Sequence, residues 1–356
     1  MNPVTAGTVH FDTEILLVIL VAGLLLWKRV DWLLFRLASR CCYDWGAFRA
    51  TRALVGFLEK LPLADWMRSS LWRMELYALS ALGETEAAVT GARRLAVHAR
   101  TEGCSPCATC VVNLFINAGL YLEALDIERG WQGPSEPKTP HAEQEWALVR
   151  FNLVEAVYNL GGWDAAHARL NALEEVARRY PFLWNFFPVQ RAWILAHTER
   201  GAEAWEALRQ VEWRSVPRQY RSEVCFTRAA VLLALRRYDE AQQEAVAGLK
   251  LARRASSTRN GLFLLGRIAH AAGRREEALR LFEAGARHLY KGQGGDGLLA
   301  WGDCLAGLGR HDEAHEAWRL VLDRDKQSGA AWEATSRLAR TALRQNDVPG
   351  KRGEIG

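Results

Sequence analysis

The sequence predicts an all-α chain folded as a helical solenoid, and three observations support this fold class. A short phrase recurs through most of the 356 residues, and a helical pattern lies on each side of every copy. No long alternation of Val, Ile and Thr indicates strands. The composition is 49% hydrophobic and 24% charged, which supplies enough apolar surface for a core and excludes a disordered chain.

The recurring phrase ends one helix, makes a turn and opens a second helix with acidic residues, as in LRRYDEA, AGRREEA and LGRHDEA. Successive copies are 36 to 42 residues apart, which is typical of stacked helix–turn–helix repeats. The final alanine of the phrase occurs at Ala88, Ala124, Ala166, Ala204, Ala241, Ala278 and Ala314. We place the repeat array at residues 68–327, a capping helix at 328–345 and a disordered tail at 346–356.

The residues around the phrase resemble those of the tetratricopeptide repeat (TPR) family. In the copy that contains Ala278, the characteristic family places are matched by the pair Leu265-Gly266, by the small residues Gly273 and Gly285, and by the aromatic residue Phe282. Small residues are required there because the two helices cross closely. The resemblance implies a right-handed solenoid of about seven repeats plus a capping helix. It also implies that partners bind on the concave face, which the first helix of each repeat lines.

The amino terminus contains the most apolar segment, Ile15–Trp27, with the sequence ILLVILVAGLLLW. Extended to residues 10–29, it reaches the length that a helix needs to span a bilayer, about 30 Å of hydrocarbon. We therefore predict one N-terminal transmembrane helix within an anchor domain at residues 1–30. A buried core helix is the alternative, because apolar runs this short are often found in cores.

Charges flanking this segment predict its orientation. The only charged side chains before the run are those of Asp12 and Glu14, whereas seven basic and three acidic residues occur from Lys28 to Lys60. The positive-inside rule then places the repeats in the cytoplasm of a single-pass protein of the inner (plasma) membrane. Residues 31–67 form a helical linker, which either lies in the membrane interface or packs on the first repeat.

Motifs that indicate catalysis, cofactor binding or metal binding are few. The sequence contains none of the nucleotide-binding or hydrolase signatures, so we predict no enzyme and no cofactor. A net charge of +5, with evenly mixed signs, predicts no nucleic-acid partner. Cys104, Cys107 and Cys110 form a triplet that could hold a metal with a further ligand such as Cys41 or Cys42. We expect instead small core cysteines, with metal or redox function as the alternative.

The predicted binding residues come from projecting the family's concave positions onto this chain. Asn side chains can hold an extended peptide backbone, and aromatic rings can serve as anchors. Asn113 and Asn152 also match two asparagines of the chaperone-type carboxylate clamp, whose Lys and Arg places carry Thr109, Phe186 and Gln190. The predicted set is Asn113, Asn117, Phe151, Asn152, Glu155, Tyr158, Phe226, Asn260, Phe263, Arg267 and His270. The alternative is that many of these residues pack between repeats.

These features predict a membrane-tethered, non-enzymatic scaffold or adaptor. It would bind protein or peptide partners on its concave face and contact the lipid bilayer through residues 10–29. This domain organisation is similar to that of bacterial inner-membrane proteins in which one N-terminal helix precedes such repeats, including the lipopolysaccharide assembly protein B group. That group ends in a rubredoxin-like module of four cysteines, and this chain has no cysteine after Cys304. A structural subunit of a larger membrane complex is a further alternative.

Overall fold

The computed structural model describes residues 30, 32–61, 63, 65–102, 105–130, 140–252, 254–288 and 294–346. The predicted anchor at residues 10–29 and the tail beyond residue 346 lie outside this described part. Within it no helix is both long enough and apolar enough to cross a membrane.

The described chain is a succession of helices joined by short turns. Residues 32–39 are helical and continue into a π-helical turn, Arg40–Asp44. The following helices are α1 (Phe48–Leu58), α2 (Asp65–Leu82), α3 (Thr85–Glu102), α4 (Ser105–Asn117), α5 (Tyr121–Gly130), α6 (Pro140–Asn159), α7 (Trp163–Ala172), α8 (Glu174–Arg179), α9 (Pro181–His197), α10 (Gly201–Leu208), α11 (Arg221–Ala234), α12 (Tyr238–Leu251), α13 (Ala255–Ala271), α14 (Arg275–Ala286), α15 (Gly295–Gly307), α16 (His311–Arg324) and α17 (Gly329–Asn346). The described residues contain no strand.

Each copy of the phrase joins a first helix to a second helix of one repeat. The pairs are α2/α3, α4/α5, α6/α7, α9/α10, α11/α12, α13/α14 and α15/α16, and α17 packs on the last pair. First helices contact the first helices of neighbouring repeats, whereas second helices contact mainly first helices. The first helices therefore form the inner wall of the solenoid, and the second helices form its outer layer.

A left-handed backbone residue marks the turn inside every described repeat. It lies five residues before the phrase alanine and has a φ between +59° and +91°. Glycine holds this place in five repeats, because it adopts a positive φ without steric cost. The seven residues are Gly83, Gly119, Gly161, Glu199, Arg236, Gly273 and Gly309.

The phrase alanines are buried where the two helices of a repeat cross, as the sequence predicts. Ala241, Ala278 and Ala314 have no exposed surface. Close approach is also made possible by glycines: a Cβ atom on Gly266 would lie 2.7 Å from the ring of Phe282, and one on Gly302 would lie 2.3 Å from Trp318 Nε1. An aromatic ring on the second helix thus fills the space that a missing side chain leaves on the first helix.

The solenoid closes on itself after about one superhelical turn. The Arg254 guanidinium, just before α13, hydrogen-bonds to the Tyr77 hydroxyl of α2, 177 residues earlier. The Gln327 side chain, just before α17, bonds both to the Leu122 backbone N–H (3.0 Å) and to Glu123 Oε2 (3.0 Å). One turn therefore takes about five repeats of 36 to 42 residues, and the inner wall faces itself across a narrow space.

Candidate functional site

The predicted binding residues fall into three groups in the structure. Asn260 is exposed, and its Oδ1 accepts hydrogen bonds from the Arg259 guanidinium at 2.9 and 3.1 Å. Seven residues are half-buried on the first helices: Asn113, Asn117, Asn152, Glu155, Tyr158, Arg267 and His270. The three phenylalanines Phe151, Phe226 and Phe263 are buried. Polar groups, rather than aromatic rings, therefore form most of the accessible inner wall at the predicted places.

Phe226 and Phe263 belong to the packing between helices. The ring of Phe226 lies where Cβ atoms on Gly248 and Gly261 would be, at 2.5 and 2.7 Å. The ring of Phe263 fills the corresponding space beside Gly285 and Gly297. Both rings are only 4% exposed, so they cannot act as exposed anchors for a partner.

Three buried polar atoms without a hydrogen-bond partner lie on three successive first helices of the inner wall. They are Thr109 Oγ1 on α4, Asn152 Nδ2 on α6 and Gln190 Oε1 on α9. Gln190 Nε2 donates a long hydrogen bond of 3.4 Å to the Phe151 carbonyl oxygen. An unpaired buried polar atom costs about 1–3 kcal/mol. We call these three residues the polar row.

Acidic groups meet across the inner space. The Glu155 carboxyl on α6 has a pKa raised to about 7, chiefly because burial disfavours its charged form. Glu223 on α11 raises this pKa further, while a hydrogen bond from Tyr158 and the Arg254 charge lower it. Glu223 accepts a 2.6 Å hydrogen bond from the Ser257 hydroxyl of α13. Three repeats therefore contribute to the surroundings of Glu155.

A second buried carboxyl joins the two ends of the superhelical turn. Asp325, between α16 and α17, accepts a 3.1 Å hydrogen bond from the Gly295 backbone N–H at the start of α15. It also lies beside Tyr121 of α5 and Asp296 of α15. Burial raises the Asp325 pKa to about 6, with the Gly295 hydrogen bond acting in the opposite direction. Asp325 is 5% exposed, so its charge is costly unless a partner compensates it.

An aromatic column lies next to Glu155. The Trp163 ring stacks between Tyr158 at 5.2 Å and the His197 imidazole at 4.7 Å, with both interplanar angles at 4°. His197 Nδ1 is 2.9 Å from the Trp193 carbonyl oxygen. Burial lowers the His197 pKa to about 4, so this imidazole is neutral at neutral pH. The column holds the inner face of α6 against α9.

Cys107 and Cys110 are the described members of the cysteine triplet, and both lie against the helical core. Cys107 is buried, and Cys110 Sγ lies 3.9 Å from the Arg73 carbonyl oxygen. Burial raises the Cys110 pKa to about 12, although the Arg73 charge lowers it. A thiol that stays protonated is a poor nucleophile. Among the described residues no three His, Cys, Asp or Glu side chains are placed to hold a metal, and Cys104 lies outside them.

Several inner-wall residues were not predicted from the sequence. Glu223, Asp296, Trp193, His197 and Tyr77 occupy the family's concave positions in other repeats, so projecting every copy would have found them. Arg254, Asp325 and Tyr121 have no such signal. Arg254 and Asp325 lie outside helices, and they reach the inner space only because the solenoid closes. Tyr121 is an aromatic residue that follows the turn between α4 and α5, rather than a residue of a first helix.

Two solved structures are similar to the chain. A Rap protein complexed with Competence and Sporulation Factor is 14% identical with a TM-score of 0.54, over 77% of this chain and 80% of the Rap chain. Yeast Tom70 is 10% identical with a TM-score of 0.41, over 90% of this chain and 75% of Tom70. No protein-family model and no curated protein sequence matches the chain.

The fold is a TPR-type helical solenoid. The likeness to the Rap protein therefore confirms the predicted all-helical repeat fold. An identity of 14% shows the fold alone, so the ligand of the Rap protein is not transferred to this chain. The resemblance to the lipopolysaccharide assembly protein B group and the right-handedness of the solenoid stay predictions.

Proposed function

We propose that the chain is a non-enzymatic adaptor that binds an extended segment of a partner protein along its inner wall. The observation that carries this proposal is the polar row, which places unsatisfied donors and acceptors on three successive first helices. A peptide backbone offers alternating N–H and C=O groups that complement such a row. Binding would replace unpaired polar atoms with hydrogen bonds.

The free chain keeps the inner wall nearly closed, so binding requires side-chain movement. The polar-row atoms have no contact with solvent, whereas the residues that carry them are only half-buried. We infer that rotation of the Asn152 and Gln190 side chains turns their amide groups into the groove. We infer that the entering segment displaces contacts across the inner space rather than contacts within the helix pairs.

We further propose that residues 10–29 tether this adaptor to the inner (plasma) membrane, with the repeats in the cytoplasm. The apolar run and the excess of basic residues after it support this part of the proposal. A phosphatase fused to the carboxyl terminus tests the orientation. Phosphatase activity on the outer side of the membrane would show that the orientation is the opposite one. Release of the protein by alkaline carbonate would contradict the membrane tether.

Substitutions in the polar row test partner binding. The double variant Asn152→Ala with Gln190→Ala should reduce recovery of the main co-purifying protein at least fivefold, because each lost hydrogen bond contributes about 1 kcal/mol. The thermal stability of the free chain should change little, because these atoms have no good partner to lose. Recovery is measured by quantitative mass spectrometry after affinity purification from membranes.

The matched control is Gln210→Ala with Gln243→Ala, two exposed residues on the outer layer. It should leave partner recovery unchanged. Equal recovery with the polar-row variant and the wild type would contradict binding at this wall. A marked loss of stability in the polar-row variant would show that the two amides pack the core instead.

A further inference from the structure

Exposed large apolar side chains are concentrated at the N-terminal end of the described chain. Of 13 such side chains, seven lie within residues 30–66 and the other six are scattered over the rest. The seven are Val30, Trp32, Leu33, Leu37, Trp45, Phe57 and Trp66. Concentrated exposed apolar surface of this kind marks an interaction site.

The helical residues 32–39 have two different apolar faces. Ala38 is fully buried in the N-terminal core, with Leu34 packed against the same cluster. Leu33 and Leu37 lie with Val30 on an adjacent face of the helix, since these three are spaced three and four residues apart. Their exposed fractions are 44% for Val30, 60% for Leu33 and 39% for Leu37. We call this second surface the N-terminal apolar face.

Cations border the N-terminal apolar face. The Arg36 guanidinium lies 4.6 Å from the Trp32 ring centroid, and Trp66 packs edge-on against Phe35 at 5.4 Å. Among the side chains described between residues 30 and 61, five exposed cations stand against one exposed acid, Glu59. The five are Arg36, Arg40, Arg49, Arg52 and Lys60.

The sequence just before this face indicates what covers it. The apolar run ends at Trp27, three residues before Val30. Helices that lie in the headgroup region of a bilayer typically expose leucine and tryptophan side chains next to arginine. A second copy of the chain fits less well, because a symmetric contact would bring the same cations together.

We propose that the N-terminal apolar face lies on the surface of an anionic lipid bilayer, with Arg36 and Arg40 against the lipid phosphates. Leu33 and Leu37 enter the boundary between headgroups and acyl chains. This contact deepens the membrane tether proposed above, because it fixes the first repeats beside the membrane.

Photocrosslinking in vesicles tests this proposal with the full chain. Leu33→p-benzoylphenylalanine and Leu37→p-benzoylphenylalanine should form adducts with lipid in phosphatidylglycerol-rich vesicles. Val246→p-benzoylphenylalanine, an exposed control on α12, should give at least tenfold less adduct. Adding Arg36→Glu and Arg40→Glu should lower the adduct yield about fivefold or more, since two cations that the anionic surface attracts are replaced by acids that it repels.

The outcomes separate this contact from the tether. Vesicle flotation that resists high salt, with no lipid adduct at positions 33 and 37, would support the tether and overturn the surface contact. The contact without the tether would be supported by a different result: lipid adducts form at positions 33 and 37 at low salt, and high salt or the two Arg→Glu changes abolish flotation. Covalent dimers of the chain in place of lipid adducts would assign the face to a second copy, and equal adducts at position 246 would also overturn the proposal.

Discussion

Single residues in the turns determine whether each repeat can close. The residue five places before the phrase alanine has a positive φ in every described repeat, including at Glu199 and Arg236, where it is not glycine. A side chain in this conformation costs about 1 kcal/mol. The conformation nevertheless persists at both places, because the helices on either side fix the backbone.

Gly273→Ala is expected to destabilise the chain by about 1 kcal/mol. The added Cβ meets no atom within 4 Å, so the cost comes from the backbone at φ +79° alone. The measurement is thermal or urea unfolding followed by circular dichroism.

Gly307→Ala is the matched control, because its Cβ also meets no neighbour but its backbone is helical. Alanine there should stabilise the chain by up to about 1 kcal/mol. Equal effects of the two substitutions would show that backbone conformation does not limit the turn at Gly273.

Helices of different repeats are coupled through ionisable groups on the inner wall. Glu155 on α6 is influenced by Glu223 on α11, by Tyr158 on its own helix and by Arg254 before α13. Its folded pKa, about 7, lies above its ordinary value of 4.5. The folded chain therefore binds more protons than the unfolded chain between these pH values, and stability falls as the pH rises from 4.5 to 7.

Glu155→Gln should remove this fall and leave the variant more stable than the wild type at pH 8, by about 1–3 kcal/mol. The two chains should have similar stability near pH 4.5. His197 acts in the opposite direction below pH 6.5, because its folded pKa is lowered to about 4. The quantity to follow is therefore the difference between wild type and variant in unfolding experiments from pH 4.5 to 8.

Glu203→Gln serves as the control for this element-scale effect. Glu203 is exposed and pairs with Arg200 on the outer layer, at 2.6 Å. Its removal should leave the pH profile almost unchanged. If the stability of the wild type and of Glu155→Gln depended on pH in the same way, the Glu155 carboxyl would not have a raised pKa in the folded chain.

At the scale of the whole molecule, the closing contacts between the two ends of one superhelical turn decide the shape. Gly161 after α6 and Gly329 at the start of α17 meet there without side chains. A Cβ atom on Gly329 would lie 2.9 Å from the Gly161 Cα atom, which is too short for any real contact. The backbones of residues 168 positions apart can approach only because both are glycine.

Gly329→Leu should push the turns apart while leaving the helix pairs intact. We expect a larger radius of gyration in small-angle X-ray scattering and an unchanged far-ultraviolet circular dichroism spectrum. Gly307→Leu is the control, since its Cβ position is open. An unchanged radius with Gly329→Leu would show that α17 can move without opening the solenoid.

The sequence alone determined the repeat register, the helix pairs and the buried crossing alanines, because all three depend on contacts within a repeat or between neighbours. It also placed Glu155, Tyr158 and Asn152 on the inner wall through the repeat position. Only the tertiary structure decided that Phe226 and Phe263 are core, because that depends on glycines of adjacent helices. It likewise decided that Arg254 and Asp325 enter the inner space. Small angles between successive repeats add up over about five repeats, and no local pattern in the chain encodes their sum.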